Sequence, residues 1–108
     1  MNIINKLNNP FELLKKYLIK NNIIIIFPAE TEELANKYLD ILYKNKIYWY
    51  SGKTNKNYWN DYNKNTCYFL NYSRGKIIIT YGKKHHKKSY SQYEFYTFEE
   101  ILQNKFLK

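Results

Sequence analysis

The residues that could carry chemistry crowd into the middle of the chain. His85 and His86 stand inside the run Lys83-Lys84-His85-His86-Lys87-Lys88, and the single cysteine is Cys67. Neighbouring histidines do not converge on one metal ion, and no other Cys or His follows at ligand spacing, so the pair does not read as a metal site. It reads as a cationic loop that grips phosphates or an acidic protein face, with histidine adding charge as the pH falls. Three glycines are too few for a phosphate-cradling loop, and no nucleophile, base and orienting group can be assembled. These features point to a binding protein without catalytic residues, metal or cofactor.

Two further groups of residues suit binding. In the segment Lys53 to Lys64, Lys53, Lys56 and Lys64 surround Tyr58, Trp59 and Tyr62, and interleaved cations and flat rings suit a nucleic-acid backbone with splayed bases. Upstream, Ile47-Tyr48-Trp49-Tyr50-Ser51 alternates as a strand, with Ile47 and Trp49 on one side and Tyr48 and Tyr50 on the other. If helices cover the first pair, Tyr48 and Tyr50 become a stacking platform, with Arg74 adding charge from a following turn.

Charge is sorted along the chain. Between Lys44 and Tyr93, ten lysines and Arg74 face Asp61 alone, a balance of +10. The preceding part is neutral and the last fifteen residues carry −1, which together give the net +9. Codons rich in A and T account for much of the Lys, Asn, Ile and Tyr content. Uniform mutational pressure does not, however, sort acids to the two ends and leave the middle almost free of them.

The elements that must position these residues follow from periodicity. Asn9-Pro10 opens a helix over Phe11 to Lys20, with Phe11, Leu14 and Leu18 on one stripe. Ile23 to Phe27, β-branched and apolar on both faces, predicts a central strand ended by Pro28. Thr31 caps a second helix whose stripe is Leu34, Tyr38, Ile41 and Leu42, with Glu30, Glu32 and Glu33 at its positive end. This helix ends near Asn45, at the position that tolerates a left-handed turn. Ile47 to Ser51 is the next strand, and Gly52 to Asn65 a long loop. Thr66 to Tyr72 and Lys76 to Tyr81 form a hairpin across Ser73-Arg74-Gly75. Lys83 to Tyr93 is a second loop, and Glu94 to Tyr96 a short strand. Thr97 and Glu100 make a capping box before a terminal helix carrying Phe98, Ile101, Leu102, Phe106 and Leu107.

The expected fold is a single α+β domain over residues 1–108, with a mainly antiparallel sheet of four to five strands, helices on one face, and the order α-β-α-β-β-β-β-α. The lone cysteine excludes an internal disulfide framework, no secretion leader opens the chain, and the longest apolar run is far short of a membrane span. A soluble protein of the bacterial cytoplasm is expected.

Several stretches resemble a loose group of small proteins encoded by phages of low-GC bacteria. They are Ile47-Tyr48-Trp49-Tyr50-Ser51-Gly52, Trp59 with Tyr62, Asn65-Thr66-Cys67-Tyr68, Ile79-Thr80-Tyr81-Gly82, and Tyr93 through Leu102. The group often has Gly before the aromatic strand, where this chain has Lys46. The resemblance implies an early phage accessory protein, a class that includes counter-defence factors such as anti-CRISPR proteins. The expected partner is then a bacterial defence effector complex, or its guide or target nucleic acid. The competing expectations are a general single-strand binder of phage replication or transcription, and a sponge for a nucleotide signal.

Overall fold

The computed structural model describes residues 10–52, 54, 56–83 and 92–107. Helix α1 (Pro10–Asn21) starts on the proline and buries Phe11, Leu14 and Leu18, as their spacing requires. Strand β1 (Ile24–Pro28) follows. Helix α2 (Glu32–Lys44) is capped by Thr31, whose hydroxyl accepts the N–H of Leu34 at 3.1 Å. It buries Ala35, Tyr38, Leu39 and Leu42 and leaves Leu34 and Ile41 half-buried, so the stripe is rotated by about one position from the predicted one. The left-handed residue after α2 is Lys46 (φ 64), not Asn45 (φ −103).

Strand β2 (Tyr48–Trp49) is shorter than expected. The long loop contains two 3₁₀ turns, Trp59–Asp61 and Asn63–Asn65. Strands β3 (Thr66–Ser73) and β4 (Lys76–Lys83) form the predicted hairpin with a tighter connection. Ser73 pairs directly with Lys76, and Arg74 and Gly75 alone make the turn, at φ 52 and 87. Two successive left-handed residues match the right-handed strand twist, and a three-residue connection is not needed. Strand β5 (Tyr93–Phe95) and helix α3 (Phe98–Leu102) close the chain. The Thr97 and Glu100 capping box is complete. The helix stops there, and Phe106 is buried from the segment beyond it while Leu107 stays exposed.

The five strands lie in the order β2-β4-β3-β1-β5. The inner pairs β1–β3 and β3–β4 are antiparallel, but both outer pairs, β1–β5 and β2–β4, are parallel. The sheet is therefore mixed, a correction to the mainly antiparallel expectation. An alternating pattern marks a strand's faces and says nothing of its direction.

One row across the sheet, Ile25, Leu70, Ile79 and Trp49, is matched residue for residue and almost wholly buried. Together with Phe27 and Tyr68 it joins the buried residues of α1, α2 and α3 in a single core cluster. The alternate residues Ile26 and Ile78 are also buried but stand outside that cluster. On their side the Phe69 ring lies so close to Gly82 that a Cβ there would come within 3.1 Å of it.

Leu42 has no exposed surface, so Leu42→Ala is expected to cost about 2 to 5 kcal/mol. Denaturant unfolding checks this, and a loss below about 0.5 kcal/mol, the range of surface changes, would place the α2 stripe on the wrong side.

Candidate nucleic-acid interface

The segment between β2 and β3 is pinned rather than loose, and Asn57 does most of the pinning. Its side-chain N–H group donates to Glu32 (3.0 Å) and Asn36 (2.7 Å) of α2. Its side-chain oxygen accepts the Trp59 N–H at 2.9 Å, and its backbone carbonyl accepts the Tyr68 hydroxyl at 2.6 Å. Trp59 is fixed further, its indole N–H donating to the Ala29 carbonyl (2.9 Å) and its own carbonyl accepting from the Thr66 hydroxyl (3.1 Å).

The rings of this segment consequently face the core. Tyr58, held at φ 58, stacks on Tyr81 with centroids 4.8 Å apart and meets Trp49 edge-on at 4.9 Å. Trp49 also packs edge-on against Tyr68 and Tyr81, and its indole N–H donates to the Tyr43 hydroxyl at 2.6 Å. Tyr58 and Trp59 are half-buried against the core.

What reaches outward is the end of the segment. Tyr62 leans on Tyr81 at 5.9 Å, and the Lys83 ammonium stands 5.7 Å from the centre of the Tyr62 ring, within cation–π range. The pairing of Thr66 with Lys83 brings the exposed Lys64 to the same end of the sheet. Tyr81 donates its hydroxyl to Asp61, the acid of the basic middle. That bond to a carboxylate, with burial second, pushes the Tyr81 phenol up to about 12. Burial also raises Tyr68 and Tyr96, and Glu94, which accepts the hydroxyls of Tyr96 (2.8 Å) and Tyr17 (2.9 Å), adds to the shift of Tyr96.

The other expected site residues are dispersed. Lys56 lines a separate small cleft with Asp40, Tyr43 and Asn57. Ile47 and Trp49 are buried, which turns Tyr48 and Tyr50 outward; Tyr48 stacks against Tyr43 at 6.1 Å, while Tyr50 is 63% exposed. Arg74 lies in the hairpin turn beyond Lys76, which is itself seven strand steps from Lys83 and so roughly 23 Å away at about 3.3 Å per residue. It is not beside Tyr50, which bonds to Ile79 well up the same strand. Lys53, Lys84, His85, His86, Lys87 and Lys88 lie outside the described residues. Among the described residues, no group of three or more His, Cys, Asp or Glu is placed to hold a metal ion, and no helix is long and apolar enough to cross a membrane.

Sequence reasoning missed Asn57 and the Tyr81–Asp61 pair. Asn57 carries no local signal, because its partners lie 21 and 25 residues away. Tyr81 could have been placed on the core side, since strand alternation puts it with Ile77 and Ile79. No protein-family model matches the chain, and comparison with curated proteins and with solved structures yields no match.

Asn57→Ala removes three side-chain hydrogen bonds and should cost about 1 to 3 kcal/mol, with a red shift of Trp emission as Trp59 becomes wetter. A second expectation concerns alkali. The folded pKa of Tyr81 lies above the ordinary 10, so its neutral form is favoured in the fold. The stability this contributes is complete below about pH 10 and is lost as the pH climbs through about 12. Asp61→Asn should bring the Tyr81 phenol back toward 10 and flatten that loss. Unfolding midpoints and tyrosinate absorbance measured across this window check both points.

Proposed function

We propose that this chain is a non-enzymatic counter-defence protein of a phage or mobile element, of the anti-CRISPR type. In this reading it inhibits a bacterial nuclease effector in the host cytoplasm by binding the effector or its nucleic acid. The contact is the basic end formed by Tyr62, Lys64 and Lys83, continued in sequence by Lys84 to Lys88. The carrying observation is the placement of Lys83 over Tyr62, with Lys64 on the same end and Asp61 engaged by Tyr81. Cations there meet a ring but little opposing charge, which suits phosphates or an acidic protein face.

The rival, a general single-strand binder, requires ring faces open to successive bases. The inward packing of Tyr58 and Trp59 favours contact by charge over contact by stacking. The counter-defence part of the reading rests on the sequence resemblance.

The test is a titration of the purified protein against oligonucleotides and against assembled CRISPR effectors from low-GC bacteria at equal salt. Free oligonucleotides should bind with dissociation constants of about 0.1 mM to 1 µM, and an effector far more tightly. Lys64→Ala with Lys83→Ala should weaken effector binding and lower the salt slope by roughly one unit for each phosphate that is no longer neutralised. Tight, sequence-indifferent oligonucleotide binding without effector preference would overturn the proposal in favour of its rival.

A further inference from the structure

An open groove of about 340 Å³ lies between α1 and the segment that follows α3. Its position follows from the helix period. Leu13, Lys16, Tyr17 and Lys20 recur at the three- and four-residue spacing that places side chains on one flank of α1, next to the buried stripe of Phe11, Leu14 and Leu18. Phe106 and Leu107 form the facing wall.

The groove has an apolar floor and a cationic rim. Tyr17 and Phe106 meet with ring centroids 5.1 Å apart, and the Tyr17 hydroxyl is taken by Glu94 at 2.9 Å, a residue outside the lining. Leu13 is half-buried, and Leu107 leaves 46% of its surface exposed at the opposite lip. Lys16 and Lys20 are both exposed, one helical turn and so about 6 Å apart along the axis. Among the described residues the ion pair joins Lys44 to Asp40, so Glu12, one turn before Lys16, does not neutralise it.

This combination selects an occupant. Two rings and two leucines favour a large apolar side chain, which gains by leaving water, and ammonium groups one turn apart favour carboxylates beside it. A small amphiphile in a groove with so exposed a rim would keep much of its surface wet, and a bilayer is flat where the site is concave. A protein segment brings both chemistries on one backbone.

We propose that this groove docks an acidic segment of a protein partner, with a large apolar side chain over Tyr17 and Phe106, between Leu13 and Leu107, and flanking carboxylates on Lys16 and Lys20. This docking is independent of the effector-binding reading of the basic end. Tyr17 is tied to β5 and Lys83 lies on β4, three strand positions and so roughly 14 Å across the sheet.

The experiment titrates the full ¹⁵N-labelled chain with a capped peptide, Glu-Glu-Leu-Trp-Glu-Glu, and follows backbone amide signals. Those of Leu13, Tyr17, Phe106 and Leu107 are expected to shift. A peptide with Lys in place of each Glu, and one with Ser in place of its Leu and Trp, should each bind about tenfold or more weakly. Lys16→Glu with Lys20→Glu, both at exposed sites, should weaken the acidic peptide about tenfold or more, and Leu107→Ala about fivefold. Lys64→Ala with Lys83→Ala should leave its binding unchanged, which separates this groove from the basic end. No shift at millimolar peptide, equal binding of the Ser-containing peptide, or an equal loss in the Lys64 and Lys83 variant would each overturn the proposal. So would equally tight binding of octanoate or of phosphatidylglycerol vesicles at the same residues.

Discussion

Trp49 is a large indole on a strand of only two residues at the margin of the sheet, and it is nonetheless almost completely buried. Such a position cannot be covered by the sheet itself. The cover comes from Tyr58 folding over it, with Tyr68 and Tyr81 beneath and the Tyr43 hydroxyl taking its one polar hydrogen. Removing water from an indole without a partner for its N–H would lose part of what burial gains. The loop, the second helix and the hairpin are therefore tied to one another through a single side chain.

That arrangement decides what the protein can show to its surroundings. Rings that close over Trp49 cannot also stack on an external base, so the aromatic richness of the middle is largely internal. Among the described residues, Lys83 and Lys64 stand at one end of the β3–β4 hairpin and Arg74 and Lys76 at the other. Proximity in sequence suggests one continuous basic and aromatic surface. Instead, two poles emerge, one around Lys83 and one around Arg74.

Much of the fold was legible because local rules governed it. The Thr31 cap, the Thr97–Glu100 box, the amphipathic first helix and the place of the β3–β4 connection, though not its length, each depend on residues within a few positions of one another. The direction of β5, the shortness of β2 and the rotation of the α2 stripe were not legible, since each is set by contacts from distant segments. The candidate site followed the same division. Alternation separated Tyr48 and Tyr50 from Ile47 and Trp49 but did not say which pair would face outward, and the anchoring of the loop by Asn57 depends on two side chains of α2 that no spacing rule connects to it.

The central strand has a consequence for how this protein fails. Ile24 to Phe27 belongs to a stretch of consecutive β-branched and aromatic residues, with high β-propensity and no charge, of the kind that stacks into cross-β assemblies when bare. In the fold it is enclosed between β3 and β5, while the strands left at the margins are only two and three residues long and offer little template. The most adhesive segment thus lies one strand in from the β5 margin: fraying of β2 leaves it covered, whereas loss of the three-residue β5 bares the edge of Ile24 to Ile26, and self-association is governed by the hold of that short strand.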